Sequence, residues 1–245
     1  LVKIPLRVAT YNIHRAIGSD GREDYERIAG VLGEVSADIV ALQEVGYRAD
    51  VPGNALQGLA DRLKAGVIEG VTLQDERGHY GNAVLTRLRA DSVVLHDLSV
   101  RGREPRGAIE LNSRVNGVDV RLVATHLGLR PGERRYQVRR LLPVFEGEGE
   151  RVDMLVGDLN EWFLYGRPLR RLHRLFGAHR APATFPARWP VFALDRFWAR
   201  PRSVVKSLRV HSSPLARVAS DHLPLVAELE IGFPGTWHQA PAFSS

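Results

Sequence analysis

Cysteine is absent from this 245-residue chain, which excludes disulfides, thiolate nucleophiles and cysteine-bound zinc. It leaves the compartment open, because a chain without thiols folds equally well under oxidising or reducing conditions. Lysine is nearly absent too. Lys3, Lys64 and Lys206 leave 34 − 3 = 31 of the basic residues as arginine. No apolar run reaches the roughly 18–20 residues that a membrane span requires. No GxxxxGK[ST], HExxH, GxSxG or dinucleotide fingerprint occurs, so those chemistries have no local support. The chain begins at Leu1 rather than Met. A processed N-terminus is therefore expected, compatible with a cytoplasmic protein or with one that has lost a secretory leader.

What is present describes a folded domain. Hydrophobic residues make up 44% and charged residues 25% of the chain, ordinary proportions for a globular protein. A chain of this size buries roughly 70–75% of the surface its unfolded form exposes. The net charge is +6, with a pI near 10.0. Such a surface attracts phosphate-rich partners, nucleic acid or anionic lipid, although arginine in place of lysine also follows from genomic base composition.

Periodicity gives the elements. Residues 6–13 form an apolar strand, and Tyr25, Ile28, Ala29, Leu32 and Val35 recur at helical spacing across 23–36. A second strand at 38–43 completes a β-α-β unit, and a helix fits 54–65. A strand-rich centre follows at 68–75, 79–87, 91–98, 107–115 and 118–126. In its last segment Val118, Val120, Leu122 and Ala124 alternate onto one face. Beyond it come a helix at 132–146, a buried strand at 154–156, a helix at 166–176, and strands at 192–199, 203–210 and 223–231. The pattern predicts an α/β sandwich in which two packed mixed sheets are flanked outside by helices. A single domain would occupy 1–231, with an irregular Gly/Pro/Ser-rich tail over 232–245.

Polar residues cluster where these strands end: Asn12, Glu44, His126, Asp158, Asn160, Asp195 and the Asp221-His222 pair. Strand ends on one sheet edge are where α/β proteins gather their sites. Each residue also has a plain structural role. Asn12 can close a turn, Glu44 can be a solvated turn residue, GDLN at 157–160 can be an Asp/Asn turn, and a lone histidine such as His126 is often a hydrogen-bonded structural group. Asp195, inside the apolar FALDRFWA segment, needs a histidine or metal partner, since an unpaired buried carboxylate is costly. Together, the oxygen ligands Glu44, Asn12 and Asp158 suit Mg²⁺, and the two histidines need carboxylates to fix their tautomers.

Taken in order, the motifs TYNI, LQEV, GNAVLTR, EPRGAI, THLGL, GDLN, LDRFW and SDHLP make the chain resemble the endonuclease/exonuclease/phosphatase superfamily along nearly its whole length. That group includes pancreatic-type deoxyribonuclease, AP endonucleases, bacterial sphingomyelinases and inositol-polyphosphate 5-phosphatases. The resemblance implies a four-layer α/β sandwich and a Mg²⁺-dependent phosphoesterase, with Mn²⁺ as substitute. It implies that Glu44, Asn12 and Asp221 surround the metal, and that Asp158 and Asn160 position or deprotonate the attacking water. His222, oriented by Asp195, would contact the phosphate or act as general base. His126 would stand on the other side of the phosphate, and Arg106 would contact it. Asn82 would either do the same or serve structure. The substrate expected first is nucleic acid, with phospholipid or another small phosphodiester as the alternative. A non-catalytic module binding nucleic acid or anionic membrane is the competing class. No obligate protein partner is evident, and a monomer is expected.

Two arginine clusters fall outside this set. Arg130, Arg134, Arg135, Arg139 and Arg140 surround one predicted helix, and Arg167, Arg170, Arg171 and Arg174 lie along another. Each can form an anion-binding surface or simply a solvated face. Trp162 and Phe163 can flank a pocket mouth or pack into the core.

Overall fold

A computed structural model of the chain describes residues 3–48, 55–75, 78–147, 150–163 and 166–232. The expected tail lies outside the described residues except for Gly232. Eleven strands form two sheets. The first contains β1 (Ile4–Asn12), β2 (Ile39–Arg48), β3 (Gly66–Asp75), β4 (Gly78–Thr86), β10 (Val205–Val210) and β11 (Leu225–Ile231), in the order β10-β11-β1-β2-β4-β3. The second contains β5 (Ala90–Asp97), β6 (Gly107–Val115), β7 (Val118–His126), β8 (Arg151–Asp158) and β9 (Asp195–Arg200), ordered β5 to β9. Each sheet holds one parallel pair, β1 with β2 and β7 with β8; the other pairs are antiparallel.

Side-chain alternation explains how these sheets stack. Along β1, Leu6 and Val8 face the other sheet, while Ala9 and Tyr11 face helices α1 (Tyr25–Val35), α2 (Ala55–Leu63) and the short α5 (Ala216–Ala219). Along β8, Met154 and Val156 point into the gap between the sheets. Leu155 points outward against α3 (Pro131–Leu141) and α4 (Arg167–Phe176). Val118, Val120, Leu122 and Ala124 all lie in the inter-sheet layer, as their alternation predicts. The result is helix, sheet, sheet, helix. Because both faces of the central strands are covered, they read as almost continuous apolar runs.

Local chemistry sets the helix ends. The Asp24 side chain accepts hydrogen bonds from the backbone N–H groups of Glu26 and Arg27 and caps α1, a contact worth about 1 kcal/mol. Ile28, Val31, Leu32 and Val35 are then buried on one side of α1, at roughly 1.5–3 kcal/mol for each large side chain. The expected helix at 132–146 stops earlier. α3 ends at Leu141 and tightens into a 3₁₀ turn, Leu142–Phe145, because Pro143 has no N–H to continue the ladder. The strand expected at 192–199 starts at Asp195, after Phe192 has paired with Phe185 in an isolated bridge. β8 extends well beyond the short apolar core seen in the sequence, since flanking polar residues also join the ladder.

Candidate active site

Three of the residues in question, Asn12, His126 and Asp158, end strands of the two parallel pairs, whereas Glu44 lies inside β2, which runs past its expected end at 43 to Arg48. In the first sheet Asn12 ends β1 beside Gln43 of β2, and Glu44 follows. In the second, His126 of β7 and Asp158 of β8 are register partners, and Asp158 pairs in turn with Asp195 of β9. His126, Asp158 and Asp195 therefore stand side by side on three adjacent strands. The sheets pack so that these two edges meet. The Asn12 amide donates to Asp158 Oδ2 across the gap at 3.1 Å and to Glu44 Oε1 at 3.0 Å.

Backbone distortion aims several of these side chains. Between Leu42 and Val45 the β2–β4 register shifts, and Glu44 adopts φ 55° inside that irregularity. A bulge of this kind re-aims a side chain that the strand would otherwise pair. Asn160 also has a left-handed φ of 50°, as do His14, Arg15 and Ala16 just after β1. Such conformations cost on the order of 1–3 kcal/mol each for residues other than glycine, and they concentrate at functional sites.

Glu44, His126, Asp158, Asn160, Asp221 and His222 line one open cleft of about 450 Å³, together with Arg106, Tyr80, Glu104, Leu129, Trp162 and Phe185, while Asn12 and Asp195 stand behind it. Buried Asp158 accepts the Asn160 N–H at 2.8 Å. His126 is enclosed: Arg106 Nη1 donates to its Nδ1 at 3.1 Å, and the Asn160 amide lies 2.9 Å from Nε2. A guanidinium only donates, so Nδ1 accepts and the ring is neutral. Burial, with Arg106 adding to it, pushes the His126 pKa down to about 3.

His222 has the opposite environment. Its Nδ1 bonds Asp195 Oδ2 at 2.8 Å, and Thr184 Oγ1 donates to the same oxygen at 2.6 Å. Burial alone would lower the His222 pKa. The charge and hydrogen bond of Asp195, with Asp158 and Asp221 nearby, outweigh it and lift the value to about 10. Nε2 is thereby left facing the cleft, 3.7 Å from Asp158 Oδ2. Burial raises the pKa of Asp221, and Glu44 pushes the same way, against His222 and His14.

The cleft's oxygen donors are of the kind that a hard divalent cation takes. Glu44, Asp158 and Asp221 all line the cleft, and Asn12 draws oxygens of Glu44 and Asp158 to within 3.1 Å of one amide nitrogen. Mg²⁺ favours one or two carboxylates with other oxygen donors. A second grouping, Asp158, Asp195 and His222, also offers ligand atoms within 4.8 Å of one another. There Asp195 Oδ2 already holds His222 and Thr184, while Asp195 Oδ1 is without a partner among the described residues and Asp158 stands 3.7 Å from His222 Nε2.

Asn82 stands apart from the other predicted residues. Its amide donates to the Gly107 carbonyl at 3.3 Å, tying β4 to β6, and it lines a neighbouring cavity rather than the cleft. Arg106 lines both and is held by Glu104 at 3.1 Å. Trp162 lines the mouth, its ring edge-on to Phe185 and Phe192, while Phe163 is exposed. Sequence reasoning missed Thr184, His14, Tyr80 and Glu104. Glu104 is the first residue of the EPRGAI motif and was within reach. Thr184 sits in an irregular segment with no periodicity to mark it.

Comparison with known proteins agrees with this architecture. A family model described as "Endonuclease/Exonuclease/phosphatase family" matches residues 9–222. The uncharacterized protein YbhP of Escherichia coli (strain K12) is 32% identical over 255 residues, covering 92% of this chain and 96% of YbhP. The crystal structure of an endonuclease/exonuclease/phosphatase from Bacteroides vulgatus superposes with a TM-score of 0.75 at 22% identity, over 94% of this chain and all of that one. A namesake from Beutenbergia cavernae gives 0.72 at 26% identity, over 93% of this chain and 72% of that one. With the strand order, the converging strand ends and the sequence match in agreement, the chain belongs to the endonuclease/exonuclease/phosphatase family.

Proposed function

We propose that this cleft hydrolyses phosphate esters, phosphodiesters first, by single-step in-line attack of a water molecule, with Mg²⁺ or Mn²⁺ held by Glu44 and Asp221, and with Asn12, whose oxygen accepts from the His14 N–H, orienting Glu44 through its amide nitrogen. The observation that carries the reading is the division of charge within one cleft. Carboxylates of Glu44, Asp158 and Asp221 face the guanidinium of Arg106 and the imidazoles of His126 and His222. A bound cation would neutralise negative charge developing on the phosphate and leaving group.

The chain's own residues supply the rest. Arg106 and the Nε2 of His222 are donors for the non-bridging oxygens, pre-oriented by Glu104 and Asp195. Neutral His126, with Nδ1 accepting from Arg106 and Nε2 2.9 Å from the Asn160 amide nitrogen, holds those two donors on the other side of the phosphate. Asp158, pinned through Oδ1 by the Asn160 N–H, has Oδ2 directed between the two histidines at 3.7 Å from each. It is the group best placed to orient the water and take its proton. Nucleic acid is the first substrate expected, on the basic surface. The exposed side chains of Leu129 and Trp162, both lining the cleft, favour a second reading, in which the phosphodiester is a phospholipid headgroup.

The test is hydrolysis of bis-p-nitrophenyl phosphate with Mg²⁺ or Mn²⁺. Turnover should vanish in EDTA and fall by about 10²–10⁴-fold in Asp158→Ala, the range for losing a positioned acid–base group. Metal-independent turnover, or retention of configuration at a chiral phosphorus, would sink the mechanism.

A further inference from the structure

Of the nine arginines in the two sequence clusters, tertiary packing separates three and gathers six. Arg134 turns inward, buried, and pairs with Glu161 at 3.2 Å. Arg130 and Arg140 also lie outside the gathered set. Arg135 and Arg139 of α3 face Arg167, Arg170, Arg171 and Arg174 of α4 across an open groove of about 470 Å³, lined otherwise, among the described residues, by Gly132. All six are exposed. Among the described residues none of them forms an ion pair with an acid, although the surface elsewhere pairs arginines freely, as in Arg62–Glu26 and Arg114–Asp119.

Six unpaired guanidiniums on two packed helices repel one another. α4 adds to the effect, because its first turn contains Arg167 and no acid, and Gly166 provides no side-chain cap. A helix N-terminus carries partial positive charge and is stabilised by anions rather than cations. The spacing 167, 170, 171, 174 keeps these side chains on one face, while Leu169, Leu172 and Phe176 bury the other. The face is thus set for a ligand that brings several negative charges in a line.

Short stretches of chain join the lining of the cleft to that of the groove. Leu129 lines the cleft and Gly132, three residues on, lines the groove; Trp162 lines the cleft and Arg167, five residues on, lines the groove. Both helices depart from the edge where β7 and β8 end. We propose that the α3–α4 groove is a binding track for the phosphate backbone of single-stranded nucleic acid, continuous with the cleft. The groove, about 470 Å³ and walled by arginine on both sides, takes one row of phosphates between its walls, the arrangement that a single strand offers. Among the described residues the lining is polar and holds no exposed apolar side chain, which disfavours a membrane surface. Arginine on both walls suits phosphate, with its fork of donors. That the bound strand is also the substrate rests on the phosphoesterase reading above; the binding does not.

The experiment is fluorescence anisotropy of a labelled oligothymidylate of about twenty nucleotides, with EDTA present so that the strand stays intact. The full chain should bind it with a log–log salt slope near −4, from about 0.7 per phosphate contact over six arginines. Arg135→Glu/Arg170→Glu/Arg174→Glu should lose about tenfold or more in affinity, and Arg174→Ala alone should flatten the slope by about 0.7. Bis-p-nitrophenyl phosphate turnover should be unchanged in the triple variant, since that substrate is too small to reach the groove. Unaltered affinity and slope in the variants would overturn the proposal. So would binding to phosphatidylglycerol vesicles, lost in the triple variant, with no binding of the oligonucleotide. An equal loss of small-substrate turnover would overturn the groove as a site separate from the cleft. If the wild-type chain hydrolyses nothing, the phosphoesterase reading fails while the anisotropy still decides the groove.

Discussion

His126 and His222 stand on opposite sides of Asp158, each with Nε2 3.7 Å from its Oδ2, yet their environments drive their protons apart. In the metal-free chain this has a signed consequence for stability. His222 titrates near 10 when folded and near 6.5 when unfolded. Its stabilising contribution is complete below pH 6.5 and disappears as pH rises through about 10. His126 titrates near 3 when folded, so its contribution is complete above pH 6.5 and is lost as pH falls from there toward 3. Urea unfolding in EDTA should therefore show greatest stability near pH 6.5, declining on both sides. Asp195→Asn removes the carboxylate that holds the His222 proton, and the decline between pH 7 and about 10 should flatten. An unchanged alkaline limb in that variant would show that the pair does not set it.

At the scale of elements, the site depends on how closely β7 and β8 approach beneath it. Gly157, one residue before Asp158, has φ 138°, and a Cβ there would lie 1.8 Å from the Thr125 carbonyl oxygen. No side chain fits without pushing the strands apart. Gly157→Ala should cost about 1–3 kcal/mol from conformation alone, with the clash in addition, and should displace Asp158 from His126 and Asn12. Chemical denaturation reads the first effect; phosphodiester turnover at a temperature where the variant remains folded reads the second. The buried Arg134–Glu161 pair does a related job for α3. Arg134 also donates to the Leu129 carbonyl at 2.5 Å, which anchors the loop between the cleft and the arginine groove.

At the scale of the whole molecule, the two sheets bring acidic groups into one cleft, and that accumulation should be relieved by a cation. A ligand at a hundred times its Kd stabilises the folded state by about 2.7 kcal/mol, which for a domain of this size corresponds to about 5–10 °C in Tm. Mn²⁺ or Mg²⁺ should raise the Tm of the wild-type chain by that amount. Glu44→Ala should abolish the gain without lowering the metal-free Tm. A metal-induced rise that persists in Glu44→Ala would place the cation on other ligands, the Asp158–Asp195–His222 group first.

Much of the fold was legible because strand and helix periodicities are local. The alternation of Val118, Val120, Leu122 and Ala124 places those residues between the sheets whatever surrounds them, and the helix-period apolar face of α1 does the same. The identity of most cleft residues was legible too, because polar groups at the ends of apolar strands are conspicuous in one dimension. What the chain could not declare locally is which ends meet. Asn12 and Asp158 touch across 146 residues of sequence, Thr184 reaches Asp195 from a segment with no pattern, and Asn82 turns to a backbone carbonyl on β6 instead of the cleft. The two arginine clusters likewise became one groove, without Arg134, only when α3 and α4 packed side by side. Each of those outcomes depends on strand register and inter-sheet packing, which are properties of long-range contacts and so belong to the tertiary structure alone.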